Sequence, residues 1–316
     1  MPTAAGDPGV RRSELIGAIS LAADLGMGHP LETGLATSLV ATGLAQRLGL
    51  ADTDVARVRD LALLQHVGCT STAAEGAELV GDELILRTHA ATLDFADKRA
   101  MTLFMLQHVS RTYPPLRRPA GFFKAMAGGR RLLEGSADVC ESARMLAARF
   151  GYDVAHLHDL DFLFENWDGT GFPAGVAGER ITVAARIVQV AVAAVLAHHG
   201  GGPDAAVDLV RSRSGHTFAP PVANALVAHA AELLAPLDGE PSVWALAVGE
   251  DDEPADIDTI LRAVADFVDL KSPYLHGHSP AVARLAEAAG CALDLPQDAV
   301  ADLRRAGCVH DVGRVG

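Results

Sequence analysis

The chain has 316 residues, enough for two domains with a sizeable core, and its 49% apolar and 21% charged content excludes a disordered chain. A formal net charge of -14 argues against nucleic-acid contact by this segment. Aromatics are only 5% while Ala and Leu dominate, which favours packed helices over sheets. The four cysteines, Cys69, Cys140, Cys291 and Cys308, lie far apart without a CxxC, so neither a zinc knuckle nor a disulfide frame is indicated. No signal peptide is visible and no apolar run reads as a membrane span, so a cytoplasmic protein without membrane contact is the expectation.

Residues 1–12 are predicted to fray. Ser13 is the expected cap of a first helix running to Gly26, Pro30 the expected start of a second running to Leu50, and Asp52 or Thr53 the cap of a third. Further helices are predicted over 73–80, 83–89, 97–109 and 137–150, with a break at Tyr113-Pro-Pro-Leu-Arg-Arg-Pro119. Arg111, Arg117, Arg118, Lys124, Arg130 and Arg131 form the clearest basic stretch and read as a solvated face. His156 and His158 are two apart, so they face different sides of a helix and need no metal. His198 and His199 precede three glycines and read as a helix end, where the dipole favours imidazolium. Polar, acidic residues 239–254 read as a linker around a short helix.

A shift of 245 positions carries Asp24-Leu25 onto Asp269-Leu270, Val55-Ala56 onto Val300-Ala301 and Val67-Gly68 onto Val312-Gly313 without a gap. Such a match is the signature of a duplicated unit. The shift also shows a difference. His278, His310 and Asp311 fall opposite Thr33, Gln65 and His66. His29 falls opposite Tyr274, so His29 and His66 read as ordinary histidines.

The last stretch, Cys308-Val-His310-Asp311-Val-Gly313-Arg314, joins an imidazole to a carboxylate that is able to bridge two metals. On the pair alone, a helix end with a capped histidine is the better reading. However, Asp269-Leu-Lys271-Ser-Pro-Tyr274-Leu-His-Gly-His278-Ser279 leading to His310-Asp311-x-Gly-Arg-x-Gly resembles the opening of an HD-GYP domain. That is the branch of the HD phosphohydrolases that cleaves cyclic dinucleotides. Glu165-Asn-Trp167-Asp168-Gly169-Thr-Gly171-Phe172-Pro173 resembles the family's naming loop, with Phe172 in place of Tyr.

The resemblance implies an all-α architecture, an HD-domain helical bundle that is duplicated with an incomplete second copy. Residues 13–238 would be a degenerate first domain, 239–254 a linker and 255–316 the N-terminal part of a second. It implies metal ligation by His278, His310 and Asp311, and catalytic roles for His310, Asp311 and Arg314. In the first copy the family's ligand positions hold Thr33, Gln65, His66, Ser136 or Val139, Leu163, Phe164 and Val192. No catalytic metal is therefore expected in residues 13–238.

A complete second domain would take a divalent transition metal, Fe, Mn, Ni or Zn, and hydrolyse a phosphorylated small molecule, cyclic di-GMP being the family substrate. A homodimer, and a following LuxR-type helix-turn-helix, are further expectations of the resemblance. The alternative is a non-catalytic sensor or scaffold module of a transcriptional regulator. Residues 253–316 are expected to be mobile for lack of packing partners.

Overall fold

The computed structural model describes residues 11–80, 82–90, 93, 97–108, 113–239, 242–247 and 256–315. It is all-α, as composition and periodicity imply, and no strand is present among the described residues. The first three helices are α1 (Arg12–Met27), α2 (Thr33–Arg47) and α3 (Asp52–Leu64). Next come α4 (Ala73–Val80), α5 (Glu83–Ala90), α6 (Lys98–Gln107) and the long α7 (Arg118–Arg149). The short α8 (Val154–Asp159) precedes α9 (Val183–Ser212) and α10 (Pro220–Leu234). The chain closes with α11 (Val243–Ala247), α12 (Ile257–Asp269), α13 (His278–Ala292) and α14 (Gln297–Val309).

Several predicted boundaries move, each for a local reason. Arg11, not Ser13, stands at the N-cap of α1, and Glu14 accepts both its backbone N–H at 2.9 Å and its guanidinium at 2.8 Å. The helix ends at left-handed Gly28 instead of Gly26. Pro30 does not begin α2, because Glu32 sits at φ 68° and no helix passes through that conformation. α7 begins at Arg118, well before 137, since Pro119 lies in a first turn where its missing N–H costs no hydrogen bond. One boundary holds: the helix that carries His198 and His199 ends where Gly201 and Gly202 leave helical geometry, so α9 is two helices meeting at a kink, and His198 Nε2 meets Asp238 Oδ1 at 3.0 Å. Residues 1–10, 240–241 and 248–255, together with Arg111, lie outside the described residues, as do the side chains of Arg130, Arg131 and Ser136.

The core is built on α9, whose Ala, Ile and Val side chains over 184–195 are almost wholly buried between α2, α3 and α10. α9 is the one described helix long and apolar enough to cross a membrane, contrary to the sequence reading, and most of that stretch is buried inside the bundle. α11, inside the expected linker, docks on α2, and Trp244 packs against Gly17 of α1.

α12 does not stand apart either. Its apolar face joins the main core through Ile260, Ala263, Phe267 and Val268, with Phe267 0% exposed. Arg149 at the end of α7 pairs with Asp266. α13 and α14 form a tight hairpin in which a Cβ on Gly307 would lie 2.6 Å from Ala283 Cα. Asp258 of α12 holds this hairpin, taking Arg304 and Arg305 of α14 at 2.9 Å each. The C-terminal turn also folds back: Val315 is buried beside Gly26, and its carbonyl accepts Lys271 Nζ at 2.8 Å. The lack of packing partners expected for 253–316 is thus not what α12 and Val315 show.

Under the 245-residue shift, α2 falls on α13 and α3 on α14 with identical bounds. The positive φ angles coincide too: Glu32 with Gly277, and Gly49 with Asp294.

Because Phe267 carries α12 into the main core, Phe267→Ala is expected to cost about 3–5 kcal/mol and to lower the stability of the whole bundle. Urea unfolding followed by Trp167 and Trp244 fluorescence checks this. An unchanged midpoint, or separate transitions in the wild type, would show that α12 is an independent unit.

Candidate metal centre

Each unit starts its second helix with the same device. Asp24 in α1 accepts the Gly34 N–H with both carboxylate oxygens at 3.2 Å. Asp269 in α12 accepts the Ser279 N–H at 3.3 and 3.0 Å and the Ser279 hydroxyl at 2.7 Å. A buried carboxylate at a helix N-terminus satisfies otherwise unpaired N–H groups and meets the positive end of the dipole. In the second unit this contact fixes the start of α13 and so places His278, its first residue, against the end of α14.

There three sequence-predicted residues meet. His278 Nε2 and His310 Nε2 each lie 3.5 Å from Asp311 Oδ2, with ring centroids 5.4 Å apart. His310 Nδ1 faces the Gly307 carbonyl at 2.9 Å. Donation from Nδ1 to that carbonyl leaves the Nε2 lone pair facing Asp311, the tautomer a metal ligand needs. Arg314 Nη1 donates to Asp311 Oδ2 at 2.8 Å, and this guanidinium is the largest influence holding the Asp311 carboxyl below the usual carboxylate range. Two imidazoles and a carboxylate, all donor atoms within 4.8 Å of one another on a partly open face, fit a first-row transition ion.

The corresponding face of the first unit is different. Gln65, His66, Leu163, Phe164 and Val192 line a cavity of about 190 Å³. Thr33, opposite His278, is fully buried and spends its hydroxyl on the Pro30 carbonyl at 2.7 Å. The wall opposite is the predicted loop. Glu165 accepts the N–H groups of Ala174 and Val176 at 2.8 and 2.9 Å, and Phe172 stacks on Phe164 at 5.7 Å. Gly171 is required there, since a Cβ would lie 2.1 Å from the Asn166 nitrogen. Burial pushes the Cys69 thiol up to about 11 and that of Cys140 up to about 12, so neither supplies a thiolate.

The sequence reading missed one cluster. Asp24, His29 and His66 bring three buried donor atoms within 4.8 Å of one another. Comparison of the two halves could not reveal it, because His29 stands opposite Tyr274. His156 and His158 do face apart, and His156 is held by the capping Asp153, Nδ1 to Oδ1 at 2.8 Å.

No family model matches the chain. It is 25% identical over 314 residues to a 3'3'-cGAMP-specific phosphodiesterase 3 of Vibrio cholerae serotype O1, covering 96% of this chain and 68% of that protein. The crystal structure of a cyclic GMP-AMP-specific phosphodiesterase of Vibrio cholerae matches with a TM-score of 0.74 at 21% identity. That match spans 98% of this chain and 72% of the other. The chain therefore has the helical fold of that phosphodiesterase.

Asp269→Ala removes the hydrogen bonds that fix α13 and is expected to lower stability by about 1.5–3 kcal/mol, as for bonds to a charged group. Urea denaturation checks it. A loss below about 0.5 kcal/mol, the range of surface substitutions, would show that the carboxylate does not hold the helix.

Proposed function

We propose that the chain belongs to an HD-GYP-type phosphohydrolase that cleaves cyclic dinucleotides with a divalent transition metal. The observation that carries this is the meeting of His278 Nε2 and His310 Nε2 at one oxygen of Asp311. The similarity to a phosphodiesterase named for 3'3'-cGAMP supports the reaction class. It also makes 3'3'-cGAMP a substrate to test beside cyclic di-GMP.

In this reading His278, His310 and Asp311 hold the metal. A metal in such a site polarises a phosphoryl oxygen and makes water acidic enough to attack at neutral pH. The protein's own residues then have distinct tasks. Gly307 holds the His310 ring in its ligating tautomer. Asp269 fixes where α13 begins. Arg314, exposed and anchored on Asp311, offers its remaining N–H groups to the phosphate.

The coincidence of α2 with α13 and α3 with α14 supports a duplicated helical unit whose first copy is regulatory or dimerising, not catalytic. A second reading, a non-catalytic sensor or scaffold, is favoured by the first unit's apolar cavity. There Leu163, Phe164 and Val192 occupy positions that would hold ligands.

With Mn(II) or Fe(II) supplied, a protein carrying a complete second domain is expected to linearise 3'3'-cGAMP or cyclic di-GMP, as read by chromatography. His310→Ala abolishes this, and Arg314→Ala slows it by about 10²–10³-fold, the usual effect of losing one charge-stabilising donor. Hydrolysis that survives His310→Ala contradicts the reading. Metal and nucleotide binding without linearisation selects the sensor.

A further inference from the structure

We infer that Asp24, His29 and His66 bind a divalent transition-metal ion in the first helical unit, a site separate from His278, His310 and Asp311. The three residues are 0%, 6% and 9% exposed, and one donor atom of each lies within 4.8 Å of the others. They come from the end of α1, the turn after it and the turn after α3, all held by the main core.

Three observations point to a cation there. First, neither ring nitrogen of His29 completes a hydrogen bond. A buried polar side chain without a partner is costly, and an ion supplies one. Second, the His66 ring meets His29 edge-on at 5.0 Å, and the two imidazoles share the space beside one carboxylate.

Third, Asp24 is fully buried and accepts the Gly34 N–H with both carboxylate oxygens, with the Thr33 N–H also directed at it. Its counterpart Asp269 gains a hydroxyl from Ser279, whereas Gly34 has none to offer Asp24. A carboxylate has about four acceptor positions, so the Gly34 and Thr33 N–H groups together still leave one for a metal.

The donor set is specific to this unit. His29 stands opposite Tyr274, which is 96% exposed, and His66 stands opposite Asp311. Two imidazoles and one carboxylate suit Zn, Fe, Mn or Ni and leave a coordination position on the side of the cavity, which His29 and His66 line.

The test begins with the full chain carrying His278→Ala and His310→Ala together, so that the second unit's site is gone. After loading with Zn(II) and desalting, mass spectrometry is expected to find one retained equivalent. Adding His29→Ala or His66→Ala removes it. Asp24→Asn, which keeps an oxygen for the Gly34 N–H, weakens it by at least tenfold. Loading the double variant with Co(II) gives a readout that needs no further substitution: d–d absorption bands of a nitrogen- and oxygen-ligated ion. The inference is overturned if the double variant keeps no ion and shows no cobalt bands. It is equally overturned if the retained ion is indifferent to His29 and His66 in folded variants. Either failure leaves the site on α13 and α14 untouched, since that site is absent from the test protein.

Discussion

A buried aspartate holding the N-terminus of the next helix is the contact on which the rest of this structure depends. Asp24 does it for α2 and Asp269 for α13. The carboxylate is out of water in both units, and its value lies in what it fixes. A helix with a pinned first turn presents its first side chain in one direction only. In the second unit that side chain is His278, and the direction is toward His310 and Asp311. In the first it is Thr33, which turns inward to the Pro30 carbonyl and offers nothing to a ligand. The same backbone device thus serves one unit with a cluster of donors and another with a buried hydroxyl.

The two units share a core, and this sets how the donors are supported. Phe267 and Val268 from α12 enter the same cluster as the side chains of α2, α3 and α9. The terminal turn reaches back to Gly26 and Lys271. The His310–Asp311 end of α14 is therefore braced on one side by α12 through Asp258, and on the other by a turn tucked against α1. A cluster with half-exposed histidines keeps its geometry because its backbone is tied at both ends. The first unit's loop from Glu165 to Pro173 is fixed just as firmly, by two N–H groups on Glu165 and by a glycine that no other residue replaces. It closes the cavity lined by Leu163, Phe164 and Val192.

Much of this was legible in the sequence. The all-α class followed from composition, and the presence of α1 to α3 from apolar periodicity. The meeting of His278 with His310 and Asp311 is what the resemblance to an HD-GYP domain implied. What the sequence did not reveal has physical causes. Glu32 in a left-handed conformation delays α2, and nothing in a glutamate announces that. The docking of α11 and α12 depends on surfaces formed by helices far away in the chain. The cluster of Asp24, His29 and His66 exists only because α1 and α3 pack together. His29 and His66 carry no spacing that separates them from ordinary buried histidines. Comparing the halves even hid them, since the second unit places an exposed tyrosine opposite one of the pair.

The central claim is that Asp269, by fixing α13, assembles His278, His310 and Asp311 into a metal centre. Anomalous diffraction at the edge of the soaked metal, zinc or iron, tests it most directly. The account predicts a peak within bonding distance of His278 Nε2, His310 Nε2 and an Asp311 carboxylate oxygen, with His310 Nδ1 still on the Gly307 carbonyl. Ordered side chains with no anomalous peak among them, and Asp311 still held by Arg314 alone, would contradict it.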